Sequence, residues 1–246
     1  VRRVAGRLTP QERVRVVRPG WTEAEAQAYL EAGGSDVSPE QRASALEGEF
    51  DRLNINFQRW LRSPTEGSWF TGAGAAEWQS RNAVYKAIRE CWQYTGLRHV
   101  DSFGELQGAV LDLENIPLGR HLRTMPMLEG TFDHVTRLNL TLTELTDAHI
   151  SLLDHFPRLR SLNVNGNSLT RFPRAVGRMR ALTELSMRGN RIVLDTQGAA
   201  DLRNLTRLQA LDLYGNPLGR EPDIGSMRML HTLILADTGI RTWPDG

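Results

Sequence analysis

The chain has 246 residues, 40% of them hydrophobic and 24% charged, which is the composition of an ordinary folded protein with one or two domains. A formal net charge of +1 gives no reason to expect nucleic acid or an anionic membrane as a partner, and no apolar run reaches the roughly 18 residues of a membrane-spanning helix. The single cysteine, Cys91, excludes an internal disulfide framework and a cysteine zinc site.

Three helix starts near the N-terminus carry capping signals. Thr9-Pro10-Gln11-Glu12 combines an N-cap, a proline in the first turn and a glutamate three residues after the cap. Thr22-Glu23-Ala24-Glu25 repeats this box, and its helix is predicted to end at Gly33-Gly34. Ser38-Pro39-Glu40-Gln41 begins the longest predicted helix.

Two long helices are predicted to form an antiparallel hairpin. The first has an apolar stripe at steps of four and three, which is typical of a seam between helices. The stripe comprises Leu46, Phe50, Leu53, Phe57 and Trp60, and the second helix, which ends near Gly96, carries Trp78, Val84, Ile88, Cys91 and Trp92. We expect residues 1–105 to be a helical domain that caps the following repeats. Its tryptophans Trp60, Trp69, Trp78 and Trp92 are predicted to be core anchors rather than ligand-stacking groups.

Residues 106–246 carry a leucine-rich period of the form L-x-x-L-x-L-x-x-N-x-L. The copies begin at Val135, Leu159, Leu182, Leu208 and Leu230, and a ragged sixth copy around Leu111 opens the array. Steps of about 20–29 residues are typical of leucine-rich repeats. The predicted fold is therefore an α+β repeat protein, in which an N-terminal helical hairpin or bundle caps a solenoid of about six leucine-rich repeats.

Asparagine follows the strand in the three strongest copies, at Asn167, Asn190 and Asn216. At this position the side-chain amide can bond backbone groups that the bending chain leaves unpaired. Thr143 and Thr238 stand there in the flanking copies and are predicted to be poorer substitutes. The three asparagines are therefore predicted to be structural.

The predicted partner-binding surface consists of the outward positions of the strands. Each L-x-L core is predicted to be a short strand, so the residues between and just after the inward leucines face outward. In the central copies they are Asn139, Thr141, Asn163, Asn165, Ser186, Arg188, Asp212 and Tyr214, with Asp112, Glu114, Ile234 and Ala236 at the ends. Arg188 beside Tyr214 is the predicted hot-spot pair, because these residue types are enriched at interface hot spots. The alternative is that the strand residues are merely solvated and that binding occurs elsewhere on the solenoid.

No catalytic, cofactor or metal site is predicted. Cys91, His99 and Asp101 could supply a thiol, a base and an orienting carboxylate, but Cys91 lies on an apolar helix stripe, where a cysteine is usually a buried small hydrophobe. His149 and His155 are six residues apart, so they cannot share a helix face as ligands four residues apart do.

Several segments resemble bacterial leucine-rich-repeat effectors of the NEL (novel E3 ligase) type. In the repeats they are Leu169–Pro173, Leu211–Leu218, Leu233–Ile240 and Trp243-Pro244; before the repeats, Thr9–Arg13, Phe50–Leu53 and Ala87–Trp92 resemble large pseudomonad-type toxins of this group. The resemblance implies a full-length ubiquitin ligase that is delivered into a host cell and whose repeats select the substrate or mask the ligase. In that family a separate C-terminal helical domain carries a cysteine nucleophile followed two residues later by aspartate. Trp92 and Gln93 follow Cys91 here, so no ligase residue is carried over.

We therefore expect a fragment that is not itself an enzyme: the substrate-recognition and regulatory region of a bacterial ubiquitin ligase that is secreted and acts in the host cytoplasm. A host protein substrate is the expected partner, and the protein's own C-terminal ligase domain is a second candidate. A non-enzymatic leucine-rich-repeat adaptor or scaffold is the alternative, and an enzyme acting through the helical domain is a third class.

Lys86 is the only lysine among 30 basic residues. Two explanations are open. One is the codon bias of a GC-rich genome; the other is selection against ubiquitin acceptors in a protein that works inside a eukaryotic cell. Both explanations indicate a bacterial source, and both stay open.

Overall fold

The computed structural model describes residues 8–32, 37–63, 72–101, 103–128, 132–242 and 244. The contacts between residues divide the chain into two compact units. The helical unit comprises Val1–Leu97 with Met125–Glu129, and the repeat unit comprises Arg98–Thr124 with Gly130–Gly246. The sequence analysis predicted the division after residue 105. The sheet of the repeat unit begins at Arg98, and the division lies before that residue.

The described part of the helical unit contains four helices: α1 (Pro10–Val17), α2 (Glu23–Glu31), α3 (Pro39–Arg62) and α4 (Gly72–Trp92). The three predicted capping boxes are confirmed, because Thr9, Thr22 and Ser38 each accept a hydrogen bond from the backbone of the third helical residue, whose side chain bonds back to the cap. Gly33-Gly34, the predicted end of α2, lies outside the described residues.

Helices α3 and α4 pack as the predicted antiparallel hairpin. The rings of Phe57 and Tyr85 stack at 5.5 Å, and further toward the other end of the pair Phe50 stacks on Trp92 at 5.1 Å. Trp60 and Trp92 are buried, as predicted for core anchors. Trp78 is not an anchor, because it is 39% exposed. Trp69 lies outside the described residues.

A buried arginine lies among the aromatic residues of the helical unit. The guanidinium of Arg18 lies 3.6 Å from the ring centroid of Trp92 and 5.0 Å from that of Tyr94, and it donates a hydrogen bond to the carbonyl of Trp92. Burial lowers the pKa of Arg18 to about 10. The ring of Trp92 is therefore occupied by a side chain of the same chain and is not a free stacking surface.

One seven-stranded sheet runs through the repeat unit in chain order. Its strands are β1 (Arg98–Val100), β2 (Leu106–Asp112), β3 (Val135–Asn139), β4 (Ser161–Asn163), β5 (Glu184–Ser186), β6 (Ala210–Asp212) and β7 (Thr232–Ile234). Strand β1 pairs antiparallel with β2, and every later pair is parallel. The inward leucines are in register across the parallel strands: Leu111, Leu138, Leu162, Leu185, Leu211 and Leu233. The predicted fold class, helices followed by a repeat sheet, is confirmed.

Short helical segments return the chain from one strand to the next. They are α5 (Leu118–His121), a 3₁₀ helix (Asp147–His155), α6 (Arg174–Gly177) and α7 (Thr196–Arg203). Pro173 is the N-cap of α6, where its fixed φ suits the start of a helix. None of the helices in the described ranges is both long enough and apolar enough to cross a bilayer.

The interior asparagines bond the backbone of adjacent repeats. Nδ2 of Asn167 donates to the carbonyls of Leu140 (2.7 Å) and Val164 (3.0 Å), and its Oδ1 accepts from the amide of Leu145 (2.9 Å). The same arrangement recurs at Asn190 and Asn216. Each amide thus satisfies buried carbonyls that strand pairing leaves without a donor.

The threonines that replace asparagine make fewer bonds. The hydroxyl of Thr143 donates to the carbonyl of Leu140, and that of Thr238 to the carbonyl of Leu235, both at 2.7 Å. A hydroxyl has one hydrogen to donate, whereas an amide has two. The turns of the outer copies are therefore stabilised by fewer side-chain hydrogen bonds than those of the central copies.

Candidate functional site

The outward side chains of the parallel strands form one surface, which we call the strand face. Its middle row holds the strand residues that lie in register across the sheet: Asp112, Asn139, Asn163, Ser186, Asp212 and Ile234. A second row follows two residues later, where backbone bonds continue the ladder: Thr141, Asn165, Arg188, Tyr214 and Ala236, with Glu114 at the first strand. The structure thus brings all the predicted partner-binding residues together on one face.

The four acidic and amide side chains of the middle row face outward, and each also accepts a hydrogen bond that stabilises the turn after its strand. The Oδ1 atoms of Asp112, Asn163 and Asp212 each accept a 3.0 Å bond from the backbone amide two residues later. The Oδ1 of Asn139 accepts such a bond at 3.1 Å, and its Nδ2 donates to Glu114 at 3.0 Å. These bonds fix the rotamers, so the face is ordered before any partner arrives.

Among the polar residues of the middle row Ser186 is the exception, and Asn165 of the neighbouring repeat bonds the backbone in its place. Oδ1 of Asn165 accepts bonds from the backbone amide of Arg188 (2.7 Å) and from the hydroxyl of Ser186 (2.8 Å). The amide oxygen of Asn165 is therefore used within the protein, and its orientation is set by two donors.

Arg188 and Tyr214 lie at the centre of a cluster at the C-terminal part of the face. The guanidinium carbon of Arg188 is 4.8 Å from the ring centroid of Tyr214, and its Nε is 3.5 Å from Oδ2 of Asp212. The nearby Asp237 carboxylate raises the pKa of Tyr214. Asp237 has a left-handed φ of 57°, in the turn position before Thr238 where the central repeats have glycine. Four polar side chains thus converge on one patch.

A third outward row was missed by the sequence analysis. It precedes the middle row by two residues and includes Arg137, Ser161 and Glu184, which are in register on β3, β4 and β5. Oε2 of Glu184 accepts a 2.8 Å bond from the Ser161 hydroxyl and lies 3.3 Å from the Arg137 guanidinium. The alternation of the strands, continued one step toward the N-terminus, would have found this row.

The side chains considered for thiol catalysis are engaged separately. Nδ1 of His99 lies 2.8 Å from the hydroxyl of Thr136, and the Asp101 carboxylate accepts bonds from the backbone amides of Phe103 and Glu105. Cys91 is buried, and burial raises the pKa of its thiol to about 12. Within the described ranges, no three histidine, cysteine, aspartate or glutamate side chains are placed to hold a metal ion.

The native Cys91 thiol is expected to resist alkylation. Because its pKa is about 12, the thiolate fraction at neutral pH is roughly a thousandfold lower than that of an exposed cysteine. Iodoacetamide labelling followed by mass spectrometry should show little modification in buffer and complete modification in 8 M urea. Rapid labelling of the folded protein would contradict the buried, protonated thiol.

Comparison with known proteins identifies the repeats. The sequence profile of the family described as leucine rich repeat matches residues 133–192. Residues 133–192 are leucine-rich repeats. No curated protein matches the chain. Among solved structures, the C-terminal domain of tropomodulin from Caenorhabditis elegans is similar to this chain. The alignment covers 53% of this chain and 81% of the tropomodulin domain, with 20% sequence identity and a TM-score of 0.37. At these values the likeness carries no functional argument. Leucine-rich repeats generally bind proteins, so a protein is the expected class of partner.

Proposed function

We propose that the strand face of the leucine-rich repeats binds a protein, and that the chain is the substrate-recognition and regulatory region of a secreted bacterial ubiquitin ligase that acts in the host cytoplasm. The observation that carries the binding proposal is the stacked pair of Arg188 and Tyr214 on an otherwise polar, ordered face. Such a pair offers a partner a large rigid surface and several donors.

The order of the face supports this proposal energetically. Asn139, Asn163 and Asp212 are held by bonds to the backbone, and the guanidinium of Arg188 lies over the ring of Tyr214. Side chains that are already fixed lose little conformational entropy on binding, so more of the contact energy is available for affinity.

Loss of either member of the pair is expected to weaken partner binding. Arg188→Ala and Tyr214→Ala should each reduce affinity by about 1–2 kcal/mol, or roughly five- to thirtyfold. The probe is a set of peptides selected on the wild-type chain from a random displayed library, and affinity is measured by fluorescence anisotropy. Arg174→Ala, an exposed change on α6, is the control and should leave affinity unchanged. Equal affinities for all three variants would remove the strand face from the proposal.

The resemblance to NEL-type effectors supports the ligase context. The partners would be a host protein substrate and the ligase domain of the same protein, which the repeats would mask until a substrate binds. The near absence of lysine fits such a setting, since only Lys86 could accept ubiquitin through a side-chain amine.

The chain itself is expected to transfer no ubiquitin. Incubation with ubiquitin, activating enzyme, conjugating enzyme and ATP should yield no chains beyond those formed without it, because Cys91 is buried and protonated. Ubiquitin transfer that Cys91→Ala abolishes would contradict this. The reading frame after Gly246 tests the wider proposal: a helical domain with Cys-x-Asp supports a ligase, whereas a stop codon or a capping repeat favours the adaptor.

A further inference from the structure

Three side chains near the centre of the strand face present hydrogen-bond donors on the outer surface. We call Asn163, Asn165 and Arg188 the donor block. Asn163 and Asn165 lie on and just after β4, and Arg188 lies just after β5. The backbone amide of Arg188 bonds the side chain of Asn165, so the block is contiguous across the two repeats.

The orientation of both amides in the donor block is fixed by bonds within the protein. Oδ1 of Asn163 accepts from the backbone amide of Asn165 at 3.0 Å, and Oδ1 of Asn165 accepts from Ser186 and Arg188. A backbone amide can only donate, so exchanging oxygen and nitrogen in either side chain would place two donors against each other. The Nδ2 groups therefore face away from these bonds, and neither has a hydrogen-bond partner within the described part of the chain.

The rest of the face differs from the donor block. On β3 the Nδ2 of Asn139 is already bonded to Glu114, and on β6 the side chain is Asp212, an acceptor. Arg188 is half exposed, and its contact with Asp212 at 3.5 Å is too long for a strong ion pair. The centre of the face thus presents two amide donors, with the guanidinium of Arg188 in the next repeat over the ring of Tyr214. Groups of this kind donate to carboxylates.

We infer that the donor block binds an aspartate or glutamate side chain of the partner protein, which makes an acidic residue a specificity determinant. This inference rests on the proposed function, because it names the chemistry that the strand face recognises. A carboxylate has acceptor sites for all three groups, whereas a lysine or arginine of a partner would meet donors only.

The chain contains its own evidence that the decisive substitution preserves the fold. Asp112 and Asp212 occupy the register position of Asn163 and accept the same backbone bond at the same 3.0 Å distance. Asn163→Asp should therefore keep its turn while replacing the outward donor by a negative charge. Asn204→Asp is the control, since it adds the same charge at an exposed position at the end of α7, off the strand face.

The experiment uses peptides selected from a random displayed library on the wild-type chain. We expect the selected peptides to carry an acidic residue whose change from Glu to Gln lowers affinity about tenfold or more. Asn163→Asp should lower affinity for the acidic peptide by a similar factor and Asn204→Asp by less than about threefold. The Gln peptide should lose little further affinity for Asn163→Asp. Circular dichroism and the melting temperature confirm that both variants are folded.

Two results would overturn the inference in different ways. In the first, the peptides lose affinity for Tyr214→Ala but carry no acidic residue, or they carry one and bind Asn163→Asp as well as the wild type. This result would overturn the donor block and leave the proposed function standing. Peptides that bind Tyr214→Ala and Arg188→Ala as well as the wild type would overturn both.

Discussion

Replacing Asn216 by leucine is expected to destabilise the repeat unit by about 3–5 kcal/mol. Asn216 is fully buried; its Nδ2 donates to the carbonyls of Met187 (2.9 Å) and Leu213 (3.0 Å), and its Oδ1 accepts from the amide of Ile192 (3.0 Å). Leucine has a similar shape but leaves these groups without their partner, and each unsatisfied buried group costs about 1–3 kcal/mol. Urea denaturation followed by far-UV circular dichroism measures the loss.

Asn216→Thr is the matched control for this prediction. Thr143 and Thr238 stand at the same position of other repeats and donate to the carbonyl three residues earlier. The threonine variant should therefore keep one of the bonds and lose about 2 kcal/mol, less than the leucine variant. A leucine variant as stable as wild type, or one more stable than the threonine variant, would show that the asparagine bonds do not stabilise the fold.

Truncation of Phe57 to alanine is expected to destabilise the helical unit by about 3–5 kcal/mol. Its side chain is 1% exposed and lies between α3 and α4, with ring centroids 5.5 Å from Tyr85 and 5.7 Å from Trp60. The substitution removes a large apolar surface and two aromatic contacts, and it leaves a cavity that the hairpin fills only in part. Tryptophan fluorescence reports this unfolding, because all tryptophans except Trp243 precede residue 98.

Ile55→Ala provides the comparison on the same helix. Ile55 is 49% exposed, so its truncation should change the free energy of unfolding by no more than about 0.5–1 kcal/mol. If the two variants were equally stable, the seam between α3 and α4 would not be the core of this unit.

The elements that were predicted correctly are those whose signal is local. The capping boxes at Thr9, Thr22 and Ser38 are complete within four residues, and the leucine period fixes which strand residues point inward. Since strands alternate, placing Leu211 inside also places Asp212 outside. The composition of the middle and second rows of the strand face could thus be predicted residue by residue.

Features that depend on pairing between distant segments were not predictable in this way. Strand β1 has only three residues and forms because it pairs with β2. It lies outside the leucine period, so the repeat pattern does not predict it. Asp237, which raises the pKa of Tyr214, belongs to the next repeat. The bonds of Asn165 to Ser186 and Arg188 depend on a serine at a position where the neighbouring repeats have an amide or an acid. The sequence shows these side chains but not which of their atoms are already in use.

The central claim is that inward amides hold the repeats together while outward amides meet the partner, and the side-chain NH₂ signals of asparagine in a ¹⁵N–¹H NMR spectrum test it directly. On addition of a selected peptide, the signals of Asn163 and Asn165 should shift, while those of the buried Asn167, Asn190 and Asn216 and of the exposed Asn204 at the end of α7 should stay in place. Unchanged Asn163 and Asn165 signals at saturating peptide, with a shift at Asn204 instead, would contradict the account.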